Sequence, residues 1–142
     1  MTRIDFYHNA EDRLRVSCRL IAKAVQQKLR VVVYAPDGAL ARAVDEMLWA
    51  EPTVQFLPHV MAEHRLAAQT PIVIARDPQS VPHDQVLLNL HSETLPAFAR
   101  FERLLEVVGP DEADRQAART RFKFYKERGY PLQAHDLAAV RV

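Results

Sequence analysis

Apolar positions along this chain alternate between two spacings. "RVVVY" (30–34) is a continuous β-branched run, the pattern of a strand covered on both faces. "PIVIA" (71–75) and "QVLLNL" (85–90) read the same way, and "RIDFY" (3–7) reads as a short opening strand. Between them the spacing becomes helical. Leu14, Cys18, Ile21 and Val25 give one apolar face to a helix over 11–28. Leu40, Val44, Met47 and Leu48 do so for a helix capped by Asp37 and running to about Ala50, with Pro52 as its stop. "VQFLP" (54–58) is readable as a further short strand and 59–70 as loop. Ser92 or Thr94 is placed to cap another helix, with Pro96 in its first turn and Phe98, Phe101, Leu105 and Val108 inward. Gly109-Pro110 breaks it. Asp111 then caps a last helix, Gly129 ends it as the C′ residue, and 130–142 reads as irregular.

Strands alternating with helices predict βαβ units, hence an α/β fold with a mostly parallel sheet and helices on both faces. The expected shape is Rossmann-like, in a single domain over 1–142, because no linker or repeat marks a boundary. Only three glycines occur, Gly38, Gly109 and Gly129, and none lies in GxGxxG or GxxxxGK[ST]. A phosphate cradle needs backbone to approach the ligand closely, so a nucleotide cofactor is not expected. The single Cys18 excludes an intramolecular disulfide and a cysteine zinc site, and on its apolar face it reads as a core thiol. The polar start MTRIDFYHNAEDR is no secretory signal, and no apolar run approaches the ~20 residues that span a bilayer. A cytoplasmic protein is expected.

Metal chemistry finds little support. His59 and His64 are five apart, the wrong step for two ligands on one helical face, and no HExxH is present. Asp5, Asp37 and Asp77 lie near strand ends and could in principle hold Mg²⁺ for a nuclease. Asp37 is already explained as a cap, Asp77-Pro78 as a turn pair, and Asp5 lies inside its strand. A Mg²⁺-dependent nuclease using Asp5 and Asp77 is the least favoured alternative.

Charge changes the picture. The chain totals +1, yet residues 115 to 128 set Arg115, Arg119, Arg121, Lys123, Lys126 and Arg128 against Glu127 alone, a local +5 that leaves −4 elsewhere. At 100° per residue Arg115, Arg119, Phe122 and Lys126 share a narrow stripe, with Ala118, Phe122 and Tyr125 in an apolar stripe beside it. Phe122 sits on the seam. Three readings stay open on these residues: a site for an acidic peptide with an apolar anchor, a plain solvated face, or a module binding single-stranded nucleic acid directly. "MLWAEPTVQFLPHVM" (47–61) offers a second surface through Trp49 and Phe56, although residue chemistry alone favours core for such rings.

At these segments the sequence resembles the chi subunit family of bacterial DNA polymerase III. The likeness runs from "FYH" through "DEMLWAEPTVQFLPH" to "ARTRFKFYKERGYPL". It implies a non-catalytic accessory subunit of the clamp-loader complex, with a Rossmann-like fold lacking a nucleotide site and no cofactor. Its implied partners are the psi subunit and the acidic C-terminal tail of single-stranded DNA-binding protein, with little or no direct DNA binding and no membrane. It places such a protein with the nucleoid, at replication forks. Carried over by position, the tail site takes Arg115, Arg119 and Phe122, with Arg121, Lys123, Tyr125 and Gly129 close by. The psi surface takes Trp49 and Phe56, with Pro52, and a helicase is a further candidate for it. Arg115 stands where a lysine is familiar and Phe122 where a tyrosine is. "AEHRLAAQT" (62–70) lacks the glycines often found in that loop.

Overall fold

The computed structural model describes residues 1–50, 57–77 and 82–138. Strands β1 (Arg3–His8), β2 (Val31–Tyr34), β3 (His59–Met61), β4 (Ile72–Ala75), β5 (Val86–Asn89), β6 (Arg103–Val107) and β7 (Leu132–Asp136) form one sheet. Their order is β3-β4-β2-β5-β6-β1-β7, and every pairing is parallel. Helices α1 (Arg13–Gln26) and α2 (Gly38–Ala50) pack on one face, against Val31, Val33, Ile72, Ile74 and Leu88. Helix α3 (Glu112–Glu127) covers the other, against Ile4, Phe6, Val32 and Leu104. The expected α/β class with helices on both faces is what the chain adopts.

The caps follow sequence chemistry. Asp12 accepts from the Arg15 amide at 3.1 Å, Asp37 from Ala39 at 2.9 Å and Asp111 from Ala113 at 3.3 Å, each satisfying an amide that the first turn leaves without a partner. Gly129, at φ 79°, adopts the left-handed conformation that ends α3.

Three expectations are corrected. The segment from Ser92 to Val108 is not a helix: after a 3₁₀ turn at Phe98–Arg100 it becomes β6, which lies between β5 and β1. Phe98, Phe101, Leu105 and Val108 match a helical step by coincidence, because a strand buried on both faces carries no alternation to contradict it. The tail read as irregular over 130–142 contains β7, which pairs with β1 from Ile4↔Leu132 to His8↔Asp136. As an edge strand it keeps polar Gln133 and His135 and lacks the apolar run of its neighbours. The stretch 59–70, read as loop, contains β3, too short at three residues to show a period. Most of the strand expected at 54–58 lies outside the described residues.

The topology fixes where a ligand crevice can form. β1 leads over one face through α1 to β2, whereas its neighbour β6 leads over the other face through α3 to β7. The two chains part at the carboxyl ends of β1 and β6. That is a topological switch point, where open parallel sheets bind ligands.

A cationic pocket at the switch point of the sheet

A pocket of about 340 Å³ opens there, near the lower end of the roughly 300–1,000 Å³ usual for ligand sites. Phe6 from β1, Val108 after β6, Ala134 from β7 and Ala118 with Phe122 from α3 make its walls apolar. Phe122 meets Phe6 edge to face, with centroids 5.2 Å apart. Phe6 is buried and holds the Phe122 ring in place from below. Arg115 and Arg119 line the same pocket from one turn of α3 to the next. His8 and Asn9 complete it at the end of β1. Asn9 has φ 60°, a left-handed turn that asparagine tolerates, and its side chain donates to Asp136 Oδ1 at 2.8 Å.

The arginine pair already answers to one acid of its own helix. Glu112 Oε1 lies 3.4 Å from Arg119 Nη1, and its Oε2 lies 4.0 Å from Arg115 Nη1. All three side chains are exposed, so this contact is weak and readily exchanged for another carboxylate. Chemically the site is a ring-sized apolar notch beside two guanidinium groups. It suits a ligand with a negative charge next to an apolar group.

Of the residues assigned to this site from sequence, Arg115, Arg119 and Phe122 come together. Lys123 is exposed beside them and pairs with Glu127 at 3.9 Å rather than lining the pocket. Gly129 lies at the far end of α3, also outside the lining. Arg121 and Tyr125 are both buried and face the core, behind the pocket wall rather than in its lining. Arg121 Nε lies 3.2 Å from Glu106 Oε2 and its Nη1 donates to the Ser92 carbonyl at 2.6 Å. The Tyr125 hydroxyl donates to the same Glu106 oxygen at 2.7 Å, and Asn89 Nδ2 reaches both carboxylate oxygens at 3.2 and 3.3 Å. Burial pushes the Glu106 carboxyl above its ordinary range, against the pull of Arg121, Tyr125 and Asn89. Burial likewise pushes the Tyr125 hydroxyl up, helped by Glu106. This buried network ties α3 to β5 and β6 of the sheet.

Trp49, for which residue chemistry favoured the core, is 57% exposed at the end of α2. Its ring leans on His59, with centroids 4.5 Å apart. His59 is buried, with Nδ1 2.7 Å from the Leu57 carbonyl and Nε2 3.0 Å from Asp45 Oδ1. Pro52 and Phe56 lie outside the described residues. Asp5 and Asp77, the nuclease alternative, belong to β1 and to the end of β4, four strand positions apart in the sheet, or about 19 Å. They cannot share a metal ion. Asp5 is engaged by Arg103 at 3.0 Å and His135 at 2.9 Å.

The whole chain can be compared with known proteins. The family model described as DNA polymerase III chi subunit matches residues 1–133. The chain belongs to the DNA polymerase III chi subunit family. It is 38% identical over 144 residues to DNA polymerase III subunit chi of Pseudomonas aeruginosa, covering 99% of this chain and all of that protein. Identity is 28% over 116 residues to subunit chi of Escherichia coli, covering 81% of this chain and 79% of that one. It is 27% over 124 residues to subunit chi of Haemophilus influenzae, with coverage of 86% and 85%. The chain is therefore a replication accessory subunit of DNA polymerase III.

For this chi-family chain, sequence reasoning missed Phe6, His8, Asn9, Val108 and Ala134 as pocket residues. The signal that could have found them is positional: they sit in or just past β1, β6 and β7, and two of those strands had been misread. Arg121 also carried a signal. Helical steps place it about 60° from Ala118 and about 40° from Tyr125, bordering the apolar stripe on the side away from Arg115 and Arg119, where a buried cation needs an acid.

Proposed function

We propose that this chain is a non-catalytic adaptor that binds the acidic C-terminal tail of single-stranded DNA-binding protein in the switch-point pocket and the psi subunit through Trp49. The observation that carries the first half is the pairing of an apolar notch with Arg115 and Arg119 at its rim. A terminal aromatic side chain fits against Phe122 and Phe6, while the terminal carboxylate replaces Glu112 on the two arginines. Each contact is modest and screened by salt, so many tails along one coated strand supply the effective concentration that one tail lacks. The exposed Trp49 ring, backed by a fixed His59, supports the second half as an anchor for a partner's pocket.

The arrangement of rings on α3 favours this adaptor over a direct nucleic-acid binder. Bases need open aromatic faces to stack on. Phe124 lies under the Arg128 guanidinium at 3.6 Å, and Tyr125 is buried. Arg119→Ala is expected to weaken a tail peptide by about 1–3 kcal/mol, the range for losing a charge-assisted contact. Calorimetry with unchanged affinity in that variant would refute the placement. Glu112→Gln should act in the opposite sense and tighten the peptide about two- to fivefold, because it removes the internal competitor for both arginines. A tail affinity unmoved or lowered by Glu112→Gln would show that the competing ion pair does not form in solution.

A further inference from the structure

A second groove, of about 560 Å³, lies between α1 and the carboxyl end of β1, and it shares Asn9 with the switch-point pocket. Val16, Leu20 and Leu137 contribute to its apolar lining. Arg15, Arg19 and Lys23 line it at intervals of four residues and so share one face of α1. The charge state of the two sites differs. At the pocket, Arg115 and Arg119 both meet Glu112. On α1, Arg19 and Lys23 are exposed, and neither has an ion-pair partner among the described residues. Field that is not cancelled locally is what attracts an anionic chain.

Resting on the adaptor reading above, we infer that the groove along α1 holds the acidic segment upstream of the guest's anchored end. The pocket takes the terminal ring and carboxylate, and the guest chain passes Asn9 to lay its carboxylates beside Arg19 and Lys23. From Arg15 to Lys23 α1 rises about 12 Å, which an extended chain covers with about four residues. Glu11 and Asp12 stand at the head of the groove, and Asp12 is committed to capping α1. The guest's acids therefore belong beyond that point, several residues away from its anchor, rather than directly next to it.

The test uses the whole chain and two fluorescent peptides with the same free C-terminal Phe anchor: a tetrapeptide, and a decapeptide with acidic residues upstream. At low salt the decapeptide is expected to bind about three- to tenfold tighter, as surface charge pairs allow. Arg19→Glu combined with Lys23→Glu should erase that gain and leave the tetrapeptide unchanged, which also shows that the variant is folded. A gain that survives in the double variant overturns the inference, and so does a tetrapeptide that binds as tightly as the decapeptide. Failure of both peptides to bind the unaltered protein overturns the pocket reading, and this inference with it. If an oligonucleotide loses affinity in the double variant while the decapeptide does not, the cations serve nucleic acid and the inference falls.

Discussion

Arg121→Met is expected to cost about 3–5 kcal/mol of folding stability, the usual penalty for stripping one partner from a buried ion pair. Arg121 and Glu106 are both buried, so removing the cation leaves a carboxylate in the core with only the Tyr125 hydroxyl and Asn89 amide for support. The loss should depend on pH in a definite direction. Burial already holds the Glu106 carboxyl above its ordinary value, so the folded state takes up its proton more readily than the unfolded chain does. A group raised in this way contributes most to stability at low pH, and that contribution is lost as pH rises through its folded value. Without Arg121 the value moves higher still. The deficit of Arg121→Met in urea unfolding should therefore be smaller at about pH 5 than at about pH 8. Equal deficits at both pH values, or a loss below about 1 kcal/mol, would show that Arg121 does not carry a buried charge against Glu106. Arg119→Ala, on the exposed side of the same helix, should leave the urea midpoint nearly unmoved.

Trp49→Ala is expected to remove about 2–4 kcal/mol of binding to the psi subunit, the scale of an interface hot spot, while tail-peptide binding stays intact. The ring is more than half exposed and rests on His59, so its truncation opens no cavity in the core. Pull-down or calorimetry with psi, run alongside a tail-peptide titration on the same sample, checks both halves. Loss of both activities together would mean that Trp49 supports the fold rather than a partner.

The parts of this fold that were legible in sequence are those where one signal dominates. β2 and β4 are unbroken apolar runs, and β5 is one up to Asn89, because helices or loops cover both faces. Helices α2 and α3 show their caps at Asp37 and Asp111. β6 was lost because its run includes Glu106, a charge that looks solvent-facing until its partners on β5 and α3 are known. β7 was lost because an edge strand covered on little of its length needs no apolar pattern. At the pocket, the stripe of Arg115, Arg119 and Phe122 follows from helical steps within one segment. The rest of the pocket comes from β1 and, about a hundred residues later in the chain, from the end of β6 and from β7, and only the sheet order unites them. The burial of Arg121 was not legible in a cation count over the helix, which ignores which face each cation occupies.

The central claim is that the notch between Phe122 and Phe6 receives the ring at the end of an acidic protein tail. The most direct measurement is a parallel titration of the whole chain with a fluorescent acidic peptide ending in Phe, the same peptide ending in Ala, and a single-stranded oligonucleotide. Saturable binding of the first, with little for the other two and loss of it in Arg119→Ala, is the predicted result. Equal binding of the Phe and Ala peptides, or preference for the oligonucleotide, would contradict it.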